Sequence, residues 1–256
     1  MREFFDVTAL AVLQGVAEFL PVSSSGHLVI GQRLAGLDIP GMRLDLMLHF
    51  GTLVSIFAFY WRTIFRIVAK FEWKYVVKIV FSAIPAVAVY FCFKDFVDGL
   101  FENAKMVGAL LMFTGAVLLG TRYLPRGGRD VCWRRALLMG CGQALALLPG
   151  VSRSGMTLAS ARAGRVDAEK SAEFSFLMSA PLILGGVFLE ILKSLREPPS
   201  AQALEISWGL TIYGAALAAV VGYFSLVVLL KALKGRWLWL FGPYCLGAGL
   251  LTLILV

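Results

Sequence analysis

The chain has 256 residues, of which 59% are hydrophobic, and its mean hydropathy is +0.80. This composition predicts an integral membrane protein and leaves no room for a soluble catalytic domain. The net charge of +8 does not indicate nucleic-acid binding, because Lys and Arg cluster in short segments between apolar runs. The four cysteines show no metal-binding or redox spacing, so we expect them to be buried apolar residues.

Eight apolar pieces follow one another along the chain, and six have the length of a membrane span. The six predicted spans are 47–61, 75–91, 106–121, 171–192, 206–230 and 237–256. The other two pieces, 7–22 and 136–151, each run into a serine-rich break. At about 1.5 Å per residue, each covers only part of a bilayer core of about 30 Å. Interrupted backbone at membrane depth must be buried in protein or line a wet cavity. We therefore predict two re-entrant helical hairpins, about 7–37 and 136–164.

The two hairpins begin two copies of one unit. Gln14 and Gln143 are 129 residues apart, and the same offset moves the first three predicted spans onto the last three. Polar and glycine identities share this register: Ser23 with Ser152, Ser25 with Ser154, Gly26 with Gly155, and Arg33 with Arg162. Each unit crosses the membrane an odd number of times, which inverts the second copy.

The predicted fold is therefore an all-α integral membrane protein with six transmembrane helices and two re-entrant hairpins arranged as an inverted repeat. We expect one membrane domain over 1–256, with repeat one over 1–121 and repeat two over 133–256. In such repeats the binding site lies near the membrane midplane, where the two copies meet.

Loop charges predict the orientation. Segments 62–74, 122–135 and 231–236 are rich in Lys and Arg, so they should be cytoplasmic. Segments 94–105 and 193–205 are acidic or balanced, so they should be external. Both termini then lie outside, and the first hairpin enters from the outer surface.

The first polar motif occupies the break in the first hairpin. Gln14 and Glu18 are one helical turn apart and share a face. A carboxylate inside the membrane costs about 2.5 to 3.5 kcal/mol, so Glu18 needs a partner or a task. Three serines precede His27 at a predicted helix start, where free N–H groups attract anions. A simpler interpretation is that one serine is an N-cap. The three are Ser23, Ser24 and Ser25.

The second polar motif, from Pro149 to Thr157, occupies the break in the second hairpin. Its hydroxyls belong to Ser152, Ser154 and Thr157. Arg153 adds a permanently charged guanidinium, which is costly in a bilayer unless an anion or a carboxylate meets it. Phosphate fits this combination of hydroxyls, amides and arginine. The alternative is a structural ion pair between Arg153 and Glu18.

The two motifs resemble the signatures of the undecaprenyl-pyrophosphate phosphatase family, also called the bacitracin-resistance family. These are Glu or Gln, three residues, then Glu, leading into a Ser-rich Gly-His turn, and a Pro-Gly-x-Ser-Arg-Ser-x-x-Thr loop. The resemblance covers essentially the whole chain. It implies a bacterial cytoplasmic (inner) membrane enzyme that hydrolyses the terminal phosphate of undecaprenyl pyrophosphate, at a site opening to the outer face. The product would be the monophosphate carrier for cell-wall synthesis.

A divalent cation, Mg²⁺ or Ca²⁺, is expected at the site, with Glu18 as its ligand. Gln14 takes the Gln option of the first signature, which leaves one carboxylate rather than two. We also consider a homodimer, although the sequence does not give the oligomeric state.

We expect catalysis from Glu18, Ser24, His27 and Arg153. In this mechanism Ser24 attacks the terminal phosphorus, His27 accepts its proton, and Glu18 orients His27 or holds the cation. Arg153 neutralises the developing charge, and water stays open as the alternative nucleophile. The residues expected to bind phosphate are Gln14, Ser23, Ser25, Ser152, Ser154 and Thr157. For His49 we favour a satisfied interfacial histidine, and a position lining the cleft is the alternative.

Two other classes share features with the chain. The type 2 phosphatidic acid phosphatases also have a Ser-Gly-His turn, but they need a Lys-x6-Arg-Pro motif that is absent here. They also expect a histidine where this chain has Ala159. The second class is a lipid or small-anion transporter or flippase, for which inverted repeats are the usual architecture.

Overall fold

The computed structural model describes residues 2–35, 42–101, 103–125, 127–196 and 206–255. Within these ranges the regular secondary structure is helical, and one isolated bridge joins Arg129 to Val166. The helices are α1 (Arg2–Ala17), α2 (Ser24–Ala35), α3 (Met42–Phe59), α4 (Trp61–Ala69), α5 (Trp73–Phe101), α6 (Ala104–Gly120), α7 (Trp133–Leu145), α8 (Arg153–Ala163), α9 (Ala168–Arg196), α10 (Trp208–Lys234) and α11 (Phe241–Leu255). The all-α prediction is confirmed.

Within the described ranges, five stretches are long and apolar enough to cross a membrane. They are Trp73–Val97, Ala104–Tyr123, Ala168–Phe188, Trp208–Lys234 and Leu238–Leu255. A sixth results if α3 and α4, bent by 67° at their junction, are taken as one span. The chain is thus a multi-pass membrane protein, and the number six stays a prediction.

The segment 94–105 is helical for most of its length, because α5 continues to Phe101, and its external location stays a prediction. The backbone leaves helical geometry at Phe93 (φ −131°, ψ 21°), and the helix resumes after this kink. Charged residues beyond the kink resemble a loop in the sequence although the backbone is helical. The second predicted external loop, 193–205, begins inside α9 and otherwise lies outside the described residues.

The basic segments of the sequence meet at one end of the bundle, which we call the basic end. Arg129 pairs with Val166 through the backbone, and Arg135 donates to the carbonyl of Gly164 over 2.9 Å. Arg122 lies over the ring of Trp239, with 4.7 Å between the guanidinium carbon and the ring centre. The three segments predicted to be cytoplasmic all contact the start of α9. The ion pairs are Arg66 with Glu173, Asp130 with Lys170 and Lys234 with Glu169.

The helical hairpins that carry the two motifs are each present as helix, break and helix. In the second hairpin α7 and α8 run antiparallel, because Gly142 abuts Ser160 while Arg135 reaches Gly164 nearer the basic end. Each hairpin packs on a helix from the other half of the chain. Helix α1 packs on α10, and α7 packs on α5. Their entry from opposite membrane surfaces, like the division into two repeats, stays a prediction.

The site is supported from one side by the pair α6 and α11. These helices cross closely because small residues face each other, and a Cβ on Gly115 would lie 2.8 Å from the carbonyl oxygen of Gly242. Thr114 of α6 and Tyr244 of α11 both contact the hairpin breaks, as described below.

The outer surface of the bundle is apolar, as a lipid-facing surface must be. Phe91, Phe188 and Phe224 are all well exposed on long helices. This explains why the prediction of four buried cysteines is wrong. Cys245 is buried, whereas Cys92, Cys132 and Cys141 are exposed. In a membrane protein a small apolar residue is as favourable on the lipid-facing surface as in the core.

Candidate active site

The breaks of the two hairpins touch each other in the interior of the bundle. A Cβ added to Gly26 would lie 3.0 Å from the Cα of Gly150, so only glycine permits this approach. The hydroxyl of Ser154 donates to the carbonyl of Leu20 over 3.1 Å. The two motifs, far apart in sequence, therefore form one cluster.

Each second helix of a hairpin begins with the same cap. The Ser23 hydroxyl accepts from the N–H of Gly26 at 3.3 Å, and the Ser152 hydroxyl accepts from the N–H of Gly155 at 3.1 Å. The two caps and the two glycines are related by the offset of 129 residues. Both caps satisfy amides that a helix start leaves free, so the capping interpretation holds for Ser23 and Ser152.

The backbone at both breaks adopts left-handed values that hold the hairpin tips in position. Ser23 has φ 68°, which is uncommon for a residue with a side chain. Gly150 has φ 93°, and a Cβ there would collide with the carbonyl oxygen of Val107 in α6. The hydroxyl of Thr114 fixes the second tip, since it donates to the carbonyl of Gly150 and accepts from the N–H of Ser152, each over 3.1 Å.

Glu18 is the centre of the cluster, and its side chain is only 6% exposed. Arg153 of the other hairpin forms an ion pair with Oε1. Oε2 accepts from the Ser24 hydroxyl at 2.8 Å and from the Gln14 amide at 3.1 Å. The buried carboxylate is therefore paired with a cation and hydrogen-bonded, which is the condition for placing such a group inside a membrane.

Arg153 is the first residue of α8 and is partly exposed. Its Nη2 binds Glu18, and its guanidinium lies 5.8 Å from the ring centre of Phe176. Its other terminal nitrogen, Nη1, is buried without a hydrogen-bond partner. An unpartnered N–H on a buried guanidinium is costly, so this atom is a natural position for an anionic ligand.

His27 lies beside the cluster, with both ring nitrogens engaged. Nδ1 lies 2.8 Å from the carbonyl oxygen of Ser23, so this nitrogen carries the proton, and Nε2 accepts from the Tyr244 hydroxyl at 2.8 Å. The two rings stack with an interplanar angle of 8°. The contact expected between His27 and Ser24 is not among the hydrogen bonds of the described residues. Ser24 is bound to Glu18 instead.

The remaining residues predicted to bind phosphate divide by exposure. Ser25 is partly exposed, and its hydroxyl lies 3.5 Å from that of Ser23. Ser152, Ser154 and Thr157 are all buried, and their hydroxyls bind protein groups. Thr157, for example, lies 2.6 Å from the hydroxyl of Ser175 in α9.

Two further residues at the site were not among those predicted to be catalytic or to bind phosphate. His49 of α3 places Nε2 3.7 Å from Oε2 of Glu18 and is one-third exposed, so the alternative position beside the site holds. Tyr244 binds His27. No local motif marks either residue, although His49 is one of only two histidines in the chain.

The chain is thus a multi-pass membrane protein with a buried polar cluster of Glu18, Ser24 and Arg153 where the tips of the two hairpins touch. The family model described as Bacitracin resistance protein BacA matches residues 7–251, and the chain belongs to this family.

Relatives of nearly equal length are similar to the chain from end to end. An undecaprenyl-diphosphatase of Halothermothrix orenii is 35% identical, over 99% of this chain and 98% of its own. One of Desulforapulum autotrophicum is 34% identical over 98% of both chains. One of Methanosphaera stadtmanae is 32% identical, over 100% of this chain and 99% of its own.

Proposed function

We propose that this protein hydrolyses undecaprenyl pyrophosphate to undecaprenyl phosphate and inorganic phosphate. The observation that carries the proposal is the meeting of Arg153, Glu18 and Ser24 at the hairpin tips, in a family whose named relatives are undecaprenyl-diphosphatases. A long isoprenoid tail requires a site open to lipid, and a pyrophosphate requires cationic and hydroxyl donors. Arg153 and Ser24 supply the donors at the hairpin tips.

Arg153 binds the terminal phosphate in this mechanism. Its Nη1 supplies a hydrogen bond that no protein group uses, while Nη2 stays on Glu18. A guanidinium held at a fixed position does not need to reorganise as charge builds up on the phosphate oxygens. The start of α8 adds to the positive surroundings of the phosphate. The ring of Phe176 helps to hold the guanidinium in place.

Ser24 is the nucleophile in this mechanism, and Glu18 accepts its proton. The Ser24 hydroxyl already donates to Glu18 over 2.8 Å. A bond forms between Oγ and the terminal phosphorus as the bond from phosphorus to the bridging oxygen breaks, and undecaprenyl phosphate leaves. Water then attacks the phosphoserine, the bond from Oγ to phosphorus breaks, and Ser24 regains its proton. The sequence suggests His27 as the acceptor of this proton, but Glu18 takes this role because the Ser24 hydroxyl is bound to it.

His27 acts on the leaving group. Its Nδ1 is fixed by the carbonyl of Ser23, while Nε2 faces the hydroxyl of Tyr244, a residue that is 52% exposed. A partly exposed hydroxyl is easily displaced, so a phosphate oxygen of the substrate can take its place at Nε2. A protonated His27 would then neutralise charge on the departing phosphate.

The buried hydroxyls have a supporting role. Ser23 and Ser152 cap the two helices, and Ser154 and Thr157 fasten α8 to its neighbours. Such contacts hold the catalytic groups in position without touching the substrate.

The donor set fits a divalent cation that is shared with the substrate. Glu18 offers one carboxylate, and the buried Oε1 of Gln14 has no hydrogen-bond partner. Among the described residues no group of three His, Cys, Asp or Glu forms a complete metal cage. Mg²⁺ typically takes one or two protein oxygens and completes its shell with phosphate oxygens and water. Glu18 and Gln14 would hold it, and it would supply charge neutralisation at the pyrophosphate.

The enzyme lies in the bacterial inner membrane with its site open to the periplasm, and the basic end lies in the cytoplasm. Support comes from the basic loops, which gather at one end. In a cysteine-free background, Lys105→Cys should react with an impermeant thiol reagent in intact cells, and Gly128→Cys should not. Labelling at 128 and not at 105 would reverse the proposed orientation.

The activity is tested with the purified full-length chain in detergent and undecaprenyl pyrophosphate as the substrate. We expect one inorganic phosphate per lipid, with undecaprenyl phosphate as the second product. Glu18→Gln should abolish release, because a side chain of nearly the same shape loses the negative charge that accepts the serine proton and pairs with Arg153. Movement of the intact lipid across vesicles without phosphate release would instead identify a transporter.

A further inference from the structure

Helix α4 lies across the end of the bundle rather than along it. It turns by 67° from Leu44–Phe59 and, at about 1.5 Å per residue, its nine residues cover only about 14 Å. Ile67 points into the core, and Thr63 donates to Glu173 over 2.9 Å. Tyr75, at the start of α5, donates to the same carboxylate over 3.1 Å. The helix is therefore fastened to the protein along one side.

A second side of α4 is apolar and uncovered. Trp61, Phe65 and Val68 are 57%, 68% and 67% exposed, and at about 100° per residue they fall within a sector of about 60°. Phe71 and Trp73, in the turn that follows, are 86% and 61% exposed. Aromatic residues in such numbers at one end of a membrane bundle are typical of the boundary between headgroups and acyl chains.

A third side is basic. Arg62, Lys70 and Lys74 are exposed and have no acidic partner among the described residues. Arg66 differs, because it is paired with Glu72 and Glu173.

Two of these three cations lie close to exposed rings. The guanidinium of Arg62 is 5.4 Å from the ring centre of Trp61, and the ammonium of Lys74 is 5.8 Å from that of Trp73. Charge and aromatic surface therefore form one continuous surface, which we call the α4 surface.

We propose that the α4 surface binds the headgroups of anionic phospholipids, with its aromatic face inserted beside the acyl chains. Charge complementarity selects this occupant: three cations without acidic partners, next to apolar rings, match an anionic headgroup with its hydrocarbon chain. A second copy of the chain would place the same three cations near one another. The inference does not depend on the catalytic proposal, because the α4 surface lies at the basic end, away from the hairpin tips.

The test compares two variants of the full chain that remove the same charge. The first carries Arg62→Gln, Lys70→Gln and Lys74→Gln, and the control carries Arg129→Gln, Arg134→Gln and Lys231→Gln, which are exposed basic residues elsewhere at the same end. Each purified protein is reconstituted in nanodiscs of phosphatidylcholine with a small fraction of phosphatidylglycerol. The protein is then extracted from the nanodiscs, and the phosphatidylglycerol molecules that stay bound to it are counted by native mass spectrometry.

At about fivefold per charge, the α4 variant should lose affinity for phosphatidylglycerol by roughly a hundredfold. The control should change clearly less, and phosphatidylcholine retention should be unaffected in both. Equal losses in the two variants would show diffuse attraction to basic charge and would overturn the proposal.

A further variant, Phe65→Ser with Val68→Ser, tests the apolar face of the α4 surface. It leaves Thr63 and Ile67 in place, so the helix keeps its attachment to the bundle. We expect reduced retention of phosphatidylglycerol and an unchanged molecular mass by light scattering. A change from dimer to monomer would instead make the α4 surface a subunit interface and overturn the proposal.

Discussion

Replacing Arg153 by lysine separates charge from hydrogen-bond geometry at the hairpin tips. Lysine keeps the positive charge and can still meet the buried carboxylate of Glu18. It cannot also supply the second, unpartnered N–H that Nη1 offers in the structure. The loss of one largely buried, charge-assisted hydrogen bond costs about 1.5 to 3 kcal/mol. In the transition state this corresponds to a loss of about ten- to 150-fold in kcat/KM.

The assay is steady-state phosphate release, with folding monitored by size-exclusion profile and thermal unfolding. Because the ion pair persists in Arg153→Lys, Tm should fall little while turnover falls steeply. Arg134→Lys is the matched control, since Arg134 is exposed at the basic end. If lysine at 153 supports turnover within about threefold of the parent, the arginine is structural and our account of phosphate binding is wrong.

Four further outcomes are expected. Ser24→Ala should lower turnover by at least about a hundredfold, and Ser25→Ala by much less; comparable losses would favour water as the nucleophile. Gly150→Ala should lower the free energy of unfolding by at least about 1 to 3 kcal/mol because of its left-handed φ. The control Gly128→Ala, where an added Cβ meets nothing, should leave Tm unchanged. Tyr244→Phe should retain most activity, because the hydroxyl is displaced by substrate, and a loss as large as that of a nucleophile variant would assign it a direct role. Chelation with EDTA should reduce phosphate release, and added Mg²⁺ or Ca²⁺ should restore it; full activity in EDTA would remove the cation from the proposal.

The sequence was informative about the fold where hydropathy dominates. The all-α membrane class followed from apolar length and is confirmed. Each polar motif does lie between two helices, but the re-entrant path of the two hairpins stays a prediction. The ends of helices were less predictable. Helix α5 continues through charged residues after a kink at Phe93. Hydropathy reflects these charges, but it does not indicate that the backbone stays helical.

The site was predictable as far as local motifs reach. The pairing of Glu18 with Arg153 was anticipated as an alternative, because a charge inside the membrane needs a partner. Two further residues at the site, His49 and Tyr244, lie on α3 and α11, and these helices carry no motif. Their approach depends on how whole helices rotate and cross in the bundle, and a local pattern cannot specify that.

The ion pair between Glu18 and Arg153 also has a consequence for the order of events during synthesis of the chain. Its partners are 135 residues apart, so at about 5 to 20 residues per second the ribosome makes Glu18 roughly 7 to 27 seconds before Arg153. During this interval the carboxylate has only Gln14 and Ser24 from its own hairpin to stabilise it. The first hairpin must therefore wait, near the insertion machinery or in contact with water, until the second hairpin emerges. A chain cut short before residue 153 would keep a buried anion without its cationic partner.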